Sequence, residues 1–267
     1  MKKIIIIFSL FLVLFLFVSC KKEEPIETKK EENIIQEEDI IFPYESLKDE
    51  DFDIEKFDLN DIPLVFMEKL YRLNNFKKTT VGETTAKLLI TYHQSINDCY
   101  IKNNDENHLL IRSESTLQKV FHEAYFYQDE IKYRKKDSDE LEKISYDDYL
   151  FKYGILPFER NLEGFIVSKN SIISVIQEEN DNGYYEYKVL INGEIGSQKI
   201  KQRMKTFGDL DDYPIFKNVE ITIIMKKDFT PVEIHMSANY NIKYPILGKM
   251  NCNQEYVSKY EFNDDIK

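Results

Sequence analysis

The sequence predicts a mainly β (α+β) chain built on one large curved antiparallel sheet. Two patterns carry this: long stretches in which apolar and polar residues alternate, and an amphipathic helix ahead of them whose apolar stripe must lie on something. A third observation bears on organisation. No Gly/Pro/Ser linker and no fixed-period repeat interrupts the chain after residue 58, so 59–267 reads as a single domain with ample length for one core.

The helix is expected in LNDIPLVFMEKLYRLNNF, Leu59 to Phe76. Asn60 or Asp61 can cap it, Pro63 suits its first turn, and Val65, Phe66, Leu70 and Leu73 share a face. The period then changes to two. In TAKLLITYHQSINDCYI, Ala86, Leu88, Ile90, Tyr92 and Ile96 alternate with Lys87, Thr91, His93 and Ser95 as one strand. SIISVIQEENDNGYYEYKVLI reads as a hairpin, because Asp181-Asn182-Gly183 supplies residues that tolerate left-handed backbone between two β-branched or aromatic runs.

The cleanest alternation is VEITIIMKKDFTPVEIHMSANYNIKY. Val219, Ile221, Ile223 and Met225 form one face of a first strand. After a turn at Lys227–Thr230, Val232, Ile234, Met236 and Tyr240 form one face of a second, with Glu233, His235 and Asn239 opposite. About 12 alternating residues span roughly 40 Å, well beyond an ordinary strand. Long strands with one oily and one wet face imply a sheet that twists around its oily side. Two short helices interrupt the strands: SYDDYLFKYG, with Ser145 as cap and Gly154 as terminator, and SQKIKQRMKTFG from Ser197 to Gly208.

The chain opens on Met-Lys-Lys and an apolar run from Ile4 to Val18, interrupted by Ser9 and shorter than the roughly 20 residues of a membrane span. A positive start, a short oily middle and a small residue before a break describe a secretory signal peptide over 1–19. The break, Val18-Ser19-Cys20, resembles the bacterial lipoprotein box, with Phe17 departing from the aliphatic residue that box prefers. The resemblance implies a diacylglyceryl group on Cys20, two chains being enough for stable anchoring at the outer face of the cell membrane. An uncleaved signal anchor is the alternative. Residues 20–58 are densely charged and poor in apolar residues, so they read as a disordered tether.

Formal charge is −12, and removing residues 1–19 takes away two lysines and no acids. Such a body repels nucleic acid and anionic lipid surfaces. Cys99 and Cys252 carry no spacing signature; a bridge between them and two half-buried thiols both stay open.

No catalytic or metal-binding motif stands out. His122-Glu123 begins like a zinc-protease helix, but Phe126 replaces the second ligand. His93 and His235 fall on polar strand faces. Asp209, Asp211 and Glu220 have calcium-loop spacing, yet Pro214 stands where the glycine should be. The expectation is a protein that is not an enzyme, with no metal or cofactor.

YRLNNFKKTTVGETTAKLLITYHQSIN and the stretch from Gln202 through YPIF to Cys252 resemble secreted lipoproteins of low-GC Gram-positive bacteria that are themselves uncharacterised. More distantly, a helix followed by a long antiparallel meander resembles the half-barrel lipoprotein carriers of the LolA/LolB and LppX type. That resemblance implies a sheet wrapped around an apolar cavity lidded by helices and open to acyl chains. On this reading Val219, Ile221, Ile223, Met225, Val232, Ile234, Met236 and Tyr240 are the candidate ligand-binding residues. The competing reading fills the cavity with the protein's own side chains and makes the module a scaffold or sensor for an unknown protein partner.

Overall fold

In the computed structural model the described residues are 43–262, except 89, 104–105, 116–118, 136–137, 179–182 and 245–247. The expected signal peptide, Cys20 and the tether up to residue 42 lie outside them.

One open antiparallel sheet of 11 strands runs in the order β6-β5-β4-β3-β2-β1-β11-β10-β9-β8-β7. Strands β1 (Phe76–Lys87), β2 (Thr91–Lys102), β3 (Asn107–Ser115), β4 (Lys119–Phe126), β5 (Ile131–Lys135) and β6 (Glu142–Ile144) form one wing. Strands β7 (Ile172–Glu178), β8 (Tyr185–Asn192), β9 (Ile215–Met225), β10 (Pro231–Tyr244) and β11 (Gly248–Phe262) form the other. The wings join where β1 pairs β11 over 12 residues, Phe76 opposite Phe262 to Lys87 opposite Asn251. At Gly82 a Cβ would fall 2.4 Å from the Tyr256 Cβ and 2.2 Å from the Glu255 carbonyl oxygen, so only glycine permits the close approach of the two strands there.

The long hairpin is as expected, with Ile223 opposite Ile234 and Ile221 opposite Met236. The hairpin around Gly183, whose φ is 76°, also forms. The stretch expected as one strand from Ala86 to Ile96 is instead a hairpin. β1 ends at Lys87 and β2 starts at Thr91, with the Leu88 N–H donating to the Ile90 carbonyl. Leu88 and Ile90 are 43% and 61% exposed at this tip. The turn contains no Gly, Pro, Asn or Asp, which is why alternation ran on through it.

Helices α1 (Ile62–Arg72), α2 (Tyr146–Tyr153), α3 (Gly193–Gly196) and α4 (Ile200–Gly208) lie among the strands. In α2 the Ser145 hydroxyl accepts from the Asp148 N–H at 3.1 Å, and Gly154 closes the helix with φ 75°. α4 ends at Gly208 as expected, with left-handed Asp209 (φ 47°) as its cap.

The expected tether boundary at residue 58 is corrected by the packing of 43–58. Phe52 and Ile54 are 4% and 5% exposed, in the same cluster as Ile62, Phe66 and Phe229. Phe57 stacks edge-on against Tyr44 and Phe229. The Arg72 guanidinium donates to the carbonyls of Leu47 and Glu45, and its Nε binds Glu68 at 2.7 Å. Apolar residues spaced between acids were enough to anchor this segment. They also bury the first two turns of α1 on every side, rather than along the stripe that periodicity suggested.

The concave face is packed at both wings. Under β7–β10, α1 and the loop Leu162–Val167 fill it with Val65, Phe66, Phe165, Ile221 and Ile223. Under β2–β5, α2 fills it with Tyr149 and Tyr153 against Phe126, Ile131 and Tyr133.

Candidate functional site

Between the two packed wings the face is hollow. A cavity of about 280 Å³ lies over β3, β2, β1, β11 and β10, roofed by α4 and the loops around Pro157 and Glu163. Its floor follows β1 from Lys78 to Ala86, roughly 26 Å of strand, so it is elongated. The floor is set by pairing: concave residues of β1 stand beside Ile96, Asp98 and Tyr100 of β2 and Cys252, Gln254 and Tyr256 of β11. The roof is one face of α4. Ile200, Arg203, Met204 and Phe207 recur at i, i+3, i+4 and i+7 and all line the space.

Composition changes along the length. At the Lys78–Thr80 level the lining is charged. Glu163, in left-handed backbone with φ 54°, drops a carboxylate onto the sheet. It accepts from Lys78 Nζ at 3.2 Å, Ser258 Oγ at 3.1 Å and Tyr260 Oη at 3.4 Å. Ser258 also bonds Thr80 at 2.8 Å. Asp98 stands beside Thr80 in the β1–β2 register and accepts from the Arg112 N–H at 3.1 Å. Desolvation pushes its carboxyl up to about 6, against the opposing pull of that hydrogen bond and of Arg203 and Lys78. Arg203 donates to the Ile155 carbonyl through Nη2 at 3.4 Å, while its buried Nε has no partner. Toward Ala86 the charges disappear, leaving Ile96, Met236, Tyr240, Ile242 and Met250 with the neutral amides Gln94 and Gln254.

Next to the roof, His122 is 1% exposed and packs against Tyr153 and Phe207, with ring centroids at 4.8 and 5.2 Å. Its Nε2 lies 3.0 Å from Tyr149 Oη. Desolvation, helped by Arg203 and Lys152 and opposed by Glu123, holds it down to about 3. It is a neutral core histidine. Glu123 is engaged by Arg134, His108 and Tyr125. His93 bonds Glu83 and His235 bonds Glu233. Among the described residues no three His, Cys, Asp or Glu side chains come together as a metal site.

Of the eight candidate ligand residues the structure brings two, Met236 and Tyr240, to the cavity wall. Val219, Ile221, Ile223, Met225 and Ile234 instead pack in the wing core with α1. Val232 sits half-buried where the β9–β10 register shifts between Pro231 and Glu233.

Of the two readings left open for Cys99 and Cys252, the structure has free thiols, Cys99 half-buried and Cys252 buried. Cys99 pairs with Thr79 and Cys252 with Ala86, seven residues apart along β1. An odd offset puts the two side chains on opposite faces, roughly 23 Å apart, far beyond disulfide reach.

The charged lining was missed by motif reading. Its signal was nonetheless present: Asp98 interrupts the apolar parity of Ile96 and Tyr100, and Arg203 interrupts the apolar face of α4.

No protein-family model and no curated protein matches the chain. Among solved structures it is similar to LprF from Mycobacterium bovis, at 7% identity and TM-score 0.35 over 76% of this chain and 91% of that one. It is similar to a putative outer membrane lipoprotein-sorting protein domain from Vibrio parahaemolyticus, at 7% identity and TM-score 0.30 over 77% and 93%. A LolA superfamily protein from Nitrosomonas europaea matches at 9% identity and TM-score 0.26 over 75% and 93%.

Proposed function

We propose that this chain is a lipoprotein, anchored through Cys20 to the outer face of the cell membrane, that holds an acyl-bearing ligand in the cavity and does no catalysis. The supporting observation is a concave face filled at both wings and hollow in the middle. Protein interiors are close-packed, and α4 with its flanking loops roofs the hollow without filling it. Its volume, about 280 Å³, sits at the lower edge of the roughly 300–1,000 Å³ of small-molecule sites. The elongated, apolar far end suits one chain better than a bulky ring. The scaffold reading draws its support from the wing under β7–β10, where α1 takes the space a ligand would need.

Uptake of an environment-sensitive fluorescent fatty acid tests the proposal. Ile96→Trp fills the cavity from its floor and should abolish uptake, whereas Val81→Trp, on the exposed convex face, should leave it intact. Equal uptake by both variants, or none by the unaltered protein, would overturn it.

A further inference from the structure

The charged end of the cavity has two groups that, among the described residues, nothing completes. Glu163 is not one of them, since its carboxylate already receives Lys78, Ser258 and Tyr260. Arg203 is the first: its Nε is buried, faces no acceptor, and belongs to a helix face that forms the roof. Asp98 is the second. It receives one backbone N–H and no cation, although it stands close enough to Arg203 and Lys78 to feel their charge. Arg203 and Asp98 form no ion pair with each other; one hangs from the roof and the other rises from the floor.

A buried donor left empty costs stability, and a half-buried carboxylate on a cavity wall with no cation beside it is open to one from a ligand. Natural cavities keep such groups where a ligand completes them. Among the described residues the charged groups facing this end are Lys78, Glu163, Asp98 and Arg203, and as ions they sum to zero. A head group carrying a single negative charge would satisfy Arg203 and confront Asp98. One carrying a single positive charge would do the reverse. A head group with both charges, and none in sum, completes both residues.

Resting on the acyl-cavity reading, we propose that the Lys78–Thr80 end of the cavity is a head-group site for a zwitterionic amphiphile. An acidic oxygen of the ligand accepts from the Arg203 guanidinium, and an ammonium donates to Asp98, as a phosphoethanolamine head would do. The apolar tail lies toward Ala86, Ile242 and Met250.

The test is displacement of the head-less probe N-phenyl-1-naphthylamine from the full-length protein by four amphiphiles of one chain length. These are a lysophosphatidylethanolamine, a lysophosphatidic acid, a fatty acid and an alkylamine. The expected result is displacement by the zwitterion at a concentration at least tenfold lower than by the other three. Arg203→Met should erase its advantage over the amine, and Asp98→Asn its advantage over the two anions. The same displacement midpoint for all four amphiphiles, with the probe bound normally, would overturn the head-group site and leave the acyl cavity standing. Variants that weaken all four equally would do the same. If the probe itself does not bind, the cavity reading fails and takes this one with it. The preference of the unaltered protein decides the matter even if a variant does not fold.

Discussion

Acid titration of His122 offers a quantitative test of the packed wing beside the cavity. The imidazole is enclosed by Tyr133, Tyr149 and Tyr153 and by Phe207, and Arg203 and Lys152 disfavour its cation while Glu123 favours it. Its folded pKa of about 3 lies below the ordinary 6.5. In the window between these values the unfolded chain binds a proton that the native chain refuses, so stability is complete above 6.5 and drains as pH falls. Each pH unit is worth about 1.4 kcal/mol, so going from pH 7.5 to 4.5 costs about 2.7 kcal/mol through this residue alone. Asp98 works in the opposite sense. Its raised value of about 6 makes the native state the better proton binder between roughly 6 and 3.8, so acid stabilises through that group. The two contributions partly cancel in the unaltered protein and must be separated by mutation. His122→Phe keeps a ring in the aromatic nest and gives up the bond to Tyr149, a loss of about 1 kcal/mol at pH 7.5. Urea unfolding at pH 7.5 and 4.5 should then show a pH-induced loss about 2.7 kcal/mol smaller than that of the unaltered chain. The same pH-induced loss in both proteins would refute a buried neutral His122.

Three further outcomes follow from the packing and the leader. Deleting 1–58 instead of 1–42 removes Phe52 and Ile54 from the core and should cost about 3–6 kcal/mol in urea unfolding; equal midpoints would restore the tether boundary at 58. Glu163→Ala leaves Lys78 without its carboxylate, takes the bond from Tyr260 and leaves Ser258 only Thr80, a loss of about 3–5 kcal/mol by the same assay, with Glu163→Gln milder; a cost below about 1 kcal/mol would mean the roof loop is not pinned there. Cys20→Ser should move the protein out of the membrane fraction, and a variant that stays there carrying labelled lipid would contradict the anchor.

Much of the sheet was legible because long strands with one oily face have few other homes. The β9–β10 hairpin shows this best, its alternation surviving two register shifts. The β1–β2 turn was hidden because Leu88 and Ile90 keep an apolar rhythm through a loop without turn residues. The site was less legible. Periodicity marks a residue as inward-facing, but it does not say whether a helix or a hollow lies beyond it. Ile221 and Met236 pair across β9 and β10, yet α1 covers the first and the second reaches the cavity wall. That division depends on where α1 and α4 land, which is set by tertiary packing far along the chain. Asp98 and Arg203 were visible as charges at apolar positions, but no single element shows that they face the same space.

Native mass spectrometry of the full-length protein, set against its denatured mass and an organic-solvent extract, addresses the central claim most directly. A hollow built to hold an acyl-bearing ligand predicts an added lipid-sized mass that leaves on unfolding, beyond any group bound covalently at Cys20, and is missing from Ile96→Trp. A bare native mass that stays bare after incubation with fatty acids and phospholipids would contradict it.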